Sequence, residues 1–116
     1  MITENETWIV DAGDAVIRKM VEVGIEALSD FERLVHCLWV ADYGMRNAGD
    51  LSAAEDVYEP FQRELSQLAD RLGLEATQAA FALPRSDLEA CYLSRFEEFC
   101  NEIRAVGGAI QQDQQR

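Results

Sequence analysis

One histidine and three cysteines are the residues of this chain best suited to catalysis. Glu32 precedes His36 by four residues, whereas bundles that hold two iron ions use a Glu-x-x-His pair on each of two helices. Because the spacing differs and a second histidine is missing, the sequence predicts no metal site and no cofactor. A general base needs a partner and a pocket, but the neighbours of His36 (Val35, Cys37 and Leu38) are apolar. We therefore interpret His36 as a histidine at the edge of the core.

The three cysteines, Cys37, Cys91 and Cys100, lie in apolar helical contexts and form no CxxC pair. An odd number without that pair fits neither a disulfide framework nor a zinc site, and an unpaired thiol packs as a small apolar group. Free thiols indicate a reducing compartment. With an acidic N-terminus and no apolar run of about 18 residues, the chain is predicted to be cytoplasmic, without a signal peptide or a membrane span.

The charge balance is strongly acidic, with 22 acidic residues against 10 basic ones and a net charge of −12. Such a surface repels nucleic-acid phosphates and anionic membranes, and it attracts basic proteins at low salt. Basic residues are scattered and no glycine-rich loop could cradle a phosphate, so we expect no direct contact with nucleic acid or membrane. The sequence predicts a basic protein partner, although an acidic surface can also serve solubility alone.

The acidic residues include like-charged pairs four residues apart, at positions 22 and 26, 55 and 59, and 98 and 102. Each such pair on a helix costs a few tenths of a kcal/mol. A chain selected only for stability would tend to avoid them, which favours a function for the negative field; the alternative is an acidic surface that is only solvated. The predicted partner contacts lie on two helices and are Glu55, Asp56, Glu59, Glu64, Glu97, Glu98 and Glu102.

A second cluster, at positions 39 to 51, joins a central helix to the next one. Its polar side chains can bond the amides of the turn and fix the angle between the two helices. Alternatively, Trp39 and Tyr43 are aromatic anchors of a recognition surface.

Within this cluster, Trp39-x-x-Asp42, four further residues and Asn47-x-Gly49 resemble a helix-and-turn motif of the bacterial all-helical family that includes a DNA-mimic protein. That family's turn reads Asn-Gly-Gly with an aromatic residue soon after. Here the turn reads Asn-Ala-Gly-Asp-Leu, so one glycine and the aromatic residue are missing. The resemblance implies a non-enzymatic, dimeric protein whose carboxylates imitate DNA phosphates and occupy a DNA-binding partner.

Helix signals account for almost the whole chain, and we find neither strand alternation nor an internal repeat. Serine-x-x-glutamate capping boxes at Ser29, Ser52 and Ser86 predict three helix starts. We therefore predict an all-α fold, a compact helical bundle of four long helices plus one short helix. The predicted helices span about Asp11 or Asp14 to Leu28, Ser29 to about Gly49, Ser52 to Gly73, Glu75 to Ala82, and Ser86 to Gly107-Gly108.

Domain boundaries follow from these helices: residues 1–10 form an N-terminal arm, 11–106 the helical domain and 107–116 a flexible polar tail. Pro60 interrupts the third helix, and we favour a single kinked helix over a new start at the proline. An apolar seam from Leu51 to Leu72 follows a 3-4 alternation and packs either within the chain or between chains.

The leading hypothesis is a non-catalytic acidic domain that docks a basic protein surface, such as that of a DNA-binding regulator or a nuclease-type toxin. It predicts that reversing four carboxylates, at positions 55, 59, 98 and 102, abolishes binding while the helices survive. One alternative is a small helical enzyme or ligand-binding bundle with its site near His36, Cys37, Trp39 and Tyr43. The other is a domain that only oligomerises through the Leu51–Leu72 seam.

Overall fold

The fold is all-α, as the sequence predicts, and four of its helices are long. The computed structural model describes residues 2–114, with side chains described for residues 2–108. A 3-10 turn at Ile25–Ala27 separates the first two helices. The structure has two short helices, Ser52–Val57 and Glu75–Phe81, whereas only one short helix is predicted. The helices are α1 (Glu4–Val23), α2 (Asp30–Ala48), α3 (Ser52–Val57), α4 (Phe61–Leu72), α5 (Glu75–Phe81) and α6 (Arg85–Gln114).

The central helix is α2, which packs against α1, α3, α4 and α6. It begins at a complete capping box, because the Ser29 hydroxyl accepts from the Glu32 amide and the Glu32 carboxylate accepts from the Ser29 amide. It ends at Gly49, whose φ of 77° places it in the left-handed region that favours glycine. Both ends are confirmed. Its buried side chains belong to one hydrophobic core that also holds aromatic residues of later helices: Phe61, Phe81, Tyr92, Phe96 and Phe99.

The first helix begins at Glu4, so the predicted N-terminal arm over residues 1–10 is wrong. The Thr3 hydroxyl accepts from the Glu6 amide at 3.1 Å and caps the helix. Acidic side chains in the first turn, Glu4 and Glu6, suit the positive end of the helix dipole. The helix stops at Val23 because Gly24 has a φ of 89°, so the predicted continuation to Leu28 is also wrong.

Only one of the three predicted serine capping boxes forms, the one at Ser29. At the start of α3 the Asp50 carboxylate, and not Glu55, accepts from the Ser52 amide at 3.0 Å. Ser86 lies inside α6, and the carboxylate of Glu89 accepts from the distant Leu51 amide at 2.7 Å. The serine-x-x-glutamate pattern therefore locates these two helix starts without describing how they are capped.

Pro60 begins a new helix, so the favoured prediction of one kinked helix is wrong and the alternative is right. The α3 helix ends at Val57, and Tyr58 has an extended backbone with ψ of 94°. Pro60 is then the N-cap residue of α4. The reason is steric: proline has no amide to donate, and its ring disfavours the helical conformation of the residue before it.

The last helix continues through Gly107 and Gly108 to Gln114, so the helix end predicted at these glycines is wrong. Neither glycine has a positive φ. A Cβ atom at Gly107 would lie 2.7 Å from the Phe31 ring, which shows that this glycine allows α2 to approach closely. The predicted flexible tail is thus helical in backbone as far as residue 114, and positions 115 and 116 lie outside the described residues.

Candidate functional site

The seven predicted contact carboxylates have different roles, and Glu102 is a structural cap. Its two carboxylate oxygens accept from the Ala76 amide at 2.9 Å and from the Thr77 amide at 2.8 Å. The Thr77 hydroxyl donates to the same carboxylate at 2.6 Å, and Thr77 is fully buried. Since α5 has no capping side chain of its own, Glu102 holds the start of that helix and is not available to a partner.

Glu64 is also committed inside the fold. Its carboxylate accepts from Arg33 at 2.8 Å and from the hydroxyl of Tyr58. The Arg33 guanidinium in turn donates to the carbonyl of Ile25 at 3.0 Å. Burial and the adjacent Glu64 carboxylate raise the pKa of Tyr58 far above its usual range. The Glu64 cluster therefore ties α4 to α2 and to the turn before α2.

Two other predicted contacts are exposed but already engaged. Glu55 forms an ion pair with Arg85, which joins α3 to the start of α6. Glu97 accepts from the Thr3 hydroxyl at 3.0 Å and from the Asn5 side-chain amide at 2.9 Å. These contacts hold α1 against α6, so partner binding would have to compete with them.

Three predicted contacts remain exposed and have no ion-pair or hydrogen-bond partner among the described side chains: Asp56, Glu59 and Glu98. They do not form one patch. Glu98 lies more than three turns beyond Arg85 along α6, a distance of about 20 Å at 1.5 Å per residue. Arg85 is the α6 residue that reaches α3, so the structure divides the predicted face in two.

The like-charged pairs are fewer than the sequence spacing suggests. Only Glu98 and Glu102 share a helix, because Gly24 and Tyr58 end the helices of the other two pairs. The stability cost of like-charged neighbours on a helix therefore arises in one pair out of three.

The excess charge is nevertheless concentrated in unpaired carboxylates. Of the nine basic side chains within residues 2–108, seven form ion pairs with carboxylates. The other two are Arg63 and Arg95. Nine exposed carboxylates in the same range have no partner within ion-pair or hydrogen-bond distance, namely Asp11, Glu22, Glu26, Asp56, Glu59, Asp70, Glu75, Asp87 and Glu98.

Of the two aromatic residues predicted as anchors on α2, Trp39 also packs α2 against α1. The rings of Trp39 and Tyr43 are stacked with centroids 5.6 Å apart. Trp39 is half-buried against α1, where a Cβ atom at Gly13 would lie only 2.2 Å from its ring. Tyr43 is 42% exposed, so of the two predicted anchors it is the one that a partner could reach more fully.

Two residues of the predicted ligand site, His36 and Cys37, are buried in the core. His36 is 4% exposed, and its ring packs edge-on against Tyr58 with centroids 4.9 Å apart. Burial raises the pKa of the fully buried Cys37 thiol well above its usual range, which disfavours the nucleophilic thiolate. Neither residue lines the cleft beside α4 and α5, and neither lines three smaller clefts elsewhere on the described surface.

The burial of His36 predicts a pH-dependent stability. Burial lowers the pKa of His36, with nearby Arg33 acting in the same direction and Glu64 opposing. The unfolded chain takes up its proton near pH 6.5, whereas the folded chain does so only at lower pH. Stability should therefore fall as the pH drops from about 7.5 to 5.5, because the unfolded state binds more protons in that window.

Urea unfolding of the wild type and of His36→Gln at pH 7.5, 6.5 and 5.5 measures this effect. The wild type should lose stability across the series, and the variant should give a flatter profile. Equal slopes for the two proteins would show that His36 contributes nothing to the pH dependence.

The apolar seam from Leu51 to Leu72 packs within the chain. Leu51, Phe61 and Leu65 are fully buried, and α4 lies against α2. The buried part of the seam therefore belongs to the core of one chain.

A groove between the start of α1 and the end of α2 was missed by the sequence reasoning. We call it the α1–α2 groove; it has a volume of about 290 Å3 and is lined by Ile2, Glu6, Val10, Asp11, Asp42 and Arg46, among others. A larger cleft of about 500 Å3, polar and open, lies beside α4 and α5. The prediction of an N-terminal arm over residues 1–10 leaves no place for this groove. The signal was present, since Thr3-x-x-Glu6 matches the capping-box pattern.

No family model, curated protein or solved structure matches this chain. The resemblance to the family of the DNA-mimic protein therefore stays a prediction that rests on positions 39 to 51. No group of three or more histidine, cysteine, aspartate or glutamate side chains in the described part of the chain could hold a metal ion. None of the described helices is both long enough and apolar enough to cross a bilayer.

Proposed function

We propose that this protein is a non-catalytic binding domain that docks a basic surface of another protein through its exposed carboxylates. A DNA-binding regulator or a nuclease-type toxin presents a surface of that kind, and the carboxylates would then stand in for nucleic-acid phosphates. The distribution of ion pairs is the observation that supports this proposal. The basic side chains are largely consumed in ion pairs, so the negative field comes from carboxylates that face solvent without a partner.

We restrict the proposed contacts to carboxylates that have no partner within the fold. Glu64 and Glu102 are engaged in the fold, and we assign the contacts instead to Asp56 and Glu59, near the end of α3, and to Glu98 on α6. Exposed charges of this kind raise the rate of encounter with an oppositely charged partner and lose their effect as salt screens them. The proposal therefore predicts binding that weakens steeply between low and physiological ionic strength.

Two matched charge-reversal variants test the proposal. The contact variant carries Asp56→Lys, Glu59→Lys and Glu98→Lys. The control variant carries Glu22→Lys, Glu26→Lys and Asp70→Lys, which change exposed, unpartnered carboxylates elsewhere by the same net charge. Wild type and both variants are immobilised, and proteins from a lysate of the source cells are bound at low salt, eluted by a salt step and identified by mass spectrometry.

We expect wild type and the control variant to retain the same basic protein, and the contact variant to bind it at least about tenfold less tightly, or about 1.4 kcal/mol. Circular dichroism of all three proteins shows whether the helices survive. Equal loss in both variants would mean that only bulk charge matters, and unchanged binding by the contact variant would mean that these carboxylates are not the docking site. Either result contradicts the proposal.

A further inference from the structure

The α1–α2 groove combines exposed apolar walls with an acidic rim. Ile2 is 73% exposed and Val10 is 56% exposed, and both line the groove together with Glu6 and Asp11. Glu6 and Val10 lie one helical turn apart on α1, so their side chains share one face of that helix. The volume of about 290 Å3 lies at the lower limit for small-molecule pockets. It suits an inserted side chain better than a cofactor.

The floor of the groove is held rigidly by the core. One oxygen of Asp42 accepts from the buried Tyr92 hydroxyl at 2.9 Å and from Arg46 at 3.0 Å. The Arg46 guanidinium also lies 4.7 Å from the centre of the Phe96 ring. A groove with a fixed floor needs little reorganisation before it binds, which lowers the entropic cost of association.

The opposite wall is fixed by contacts between α1 and α6. The buried Asn5 side chain donates to Glu97 at 2.9 Å and accepts from Arg104 at 2.7 Å. Arg104 also lies 5.5 Å from the centre of the Trp8 ring. The first two turns of α1 are therefore held against α6, and the groove beside them is preformed.

The charges around the groove select its occupant. Among the described lining residues Arg46 is the only basic one, and its guanidinium is 3.0 Å from Asp42 and 3.9 Å from Glu6. Asp11 is exposed and has no partner among the described residues. The rim is thus net negative. A second copy of the chain, with a net charge of −12, would bring like charge, whereas a lysine or arginine beside an apolar side chain would complement both features.

We propose that the α1–α2 groove binds a basic amphipathic helix of the partner protein. One large apolar side chain of that helix inserts between Ile2 and Val10, and a lysine or arginine one turn away reaches Asp11. This is the groove mode of helix recognition, in which apolar side chains at helical spacing anchor the ligand. The inference rests on the proposed function in one respect, namely that the partner is basic, and it adds an apolar anchor formed by residues other than the three proposed docking carboxylates.

Three labelled helical peptides of equal length serve as probes. The first has leucines along one face and lysines on the other, the second replaces the leucines with serines, and the third replaces the lysines with glutamates. Fluorescence anisotropy measures their binding to wild type and to two matched pairs of variants. Val10→Ser is compared with Val21→Ser, which changes a valine 79% exposed on the same helix. Asp11→Lys is compared with Glu22→Lys.

We expect only the leucine-lysine peptide to bind. Val10→Ser should weaken it by about fivefold, from the loss of about 1 kcal/mol of apolar contact, and Asp11→Lys should weaken it further at low salt. The controls Val21→Ser and Glu22→Lys should bind as the wild type does. Failure of the leucine-lysine peptide to bind, equal binding of the serine peptide, or equal effects of the paired variants would overturn the groove proposal.

Retention of the natural partner from the lysate, measured with the groove variants as well, separates this inference from the proposed function. If Asp56→Lys, Glu59→Lys and Glu98→Lys weaken retention of the natural partner while Val10→Ser does not, the docking carboxylates stand and the groove is wrong. If Val10→Ser weakens that retention and the three reversals do not, the groove proposal is supported and the assignment of the docking carboxylates is contradicted. A dimer in analytical ultracentrifugation that Val10→Ser abolishes would assign the groove to a second copy and overturn the proposal.

Discussion

Replacing Glu102 with alanine should lower the free energy of unfolding by about 3 kcal/mol, because a buried donor left unsatisfied costs about 1–3 kcal/mol. The Glu102 carboxylate accepts from the Ala76 amide, the Thr77 amide and the Thr77 hydroxyl. Alanine would leave all three donors without this acceptor. Thr77 is fully buried in the folded protein, so the loss of the acceptor for its amide and hydroxyl is costly.

The matched control is Glu98→Ala, one turn earlier on the same helix. Glu98 is exposed and has no partner among the described side chains, so its loss should change stability by no more than about 0.5 kcal/mol. Urea unfolding followed by circular dichroism at pH 7 gives both values. Similar losses for the two variants would show that the carboxylate of Glu102 does not stabilise α5.

This difference changes how the acidic surface can be tested. A fourfold lysine reversal at positions 55, 59, 98 and 102 should not leave the helices intact, contrary to the sequence-based prediction. Glu102→Lys would remove the cap of α5 and place a cation at a helix N-terminus, where the dipole is unfavourable to positive charge. Glu55→Lys would break the pair with Arg85. Loss of binding in that variant would report unfolding as well as charge.

The predictions that the structure confirms rest on local signals. Ser29 and Glu32 cap each other within one turn, and Gly49 and Gly73 end their helices with φ values of 77° and 75°. Such features depend on neighbouring residues only, so periodicity and turn chemistry reveal them. The same locality explains why the all-α class could be predicted.

The roles of the carboxylates could not be predicted because their partners are distant in sequence. Glu89 accepts from the amide of Leu51, and Glu97 accepts from the side chain of Asn5. Sequence spacing shows that these side chains are acidic and helical, but it does not show which part of the chain lies opposite. A glutamate that caps another helix and a glutamate that faces solvent therefore have the same local pattern.

Glycine is ambiguous for a similar reason. At Gly73 it ends a helix, whereas at Gly107 it lies within one and allows contact with Phe31. From the local sequence alone, a glycine near the end of a helical pattern favours a helix end at both positions. Only the packing of a second helix distinguishes a glycine needed for its backbone conformation from one needed for its lack of a side chain.

Gly13 is the clearest example of a glycine that is needed because it has no side chain. Gly13→Ala should lower the free energy of unfolding by about 2 kcal/mol, within the range for overpacked sites. In an open helix interior the same change stabilises by about 0.5–1 kcal/mol. At Gly13 the new Cβ would lie 2.2 Å from Cδ1 and 2.6 Å from Cγ of Trp39. Either the indole leaves its stacked position on Tyr43 or α1 moves away from α2.

Gly108→Ala is the control, because nothing lies within 4 Å of a Cβ atom built there. That variant should be as stable as the wild type or slightly more stable, so the two glycine replacements should have opposite signs. Adding Trp39→Leu to Gly13→Ala should recover part of the loss, since the smaller side chain gives the methyl group room. Urea unfolding of the single and double variants measures the coupling. Additive effects in this cycle would mean that Trp39 is not what Gly13 accommodates, and that the distance between α1 and α2 is set elsewhere.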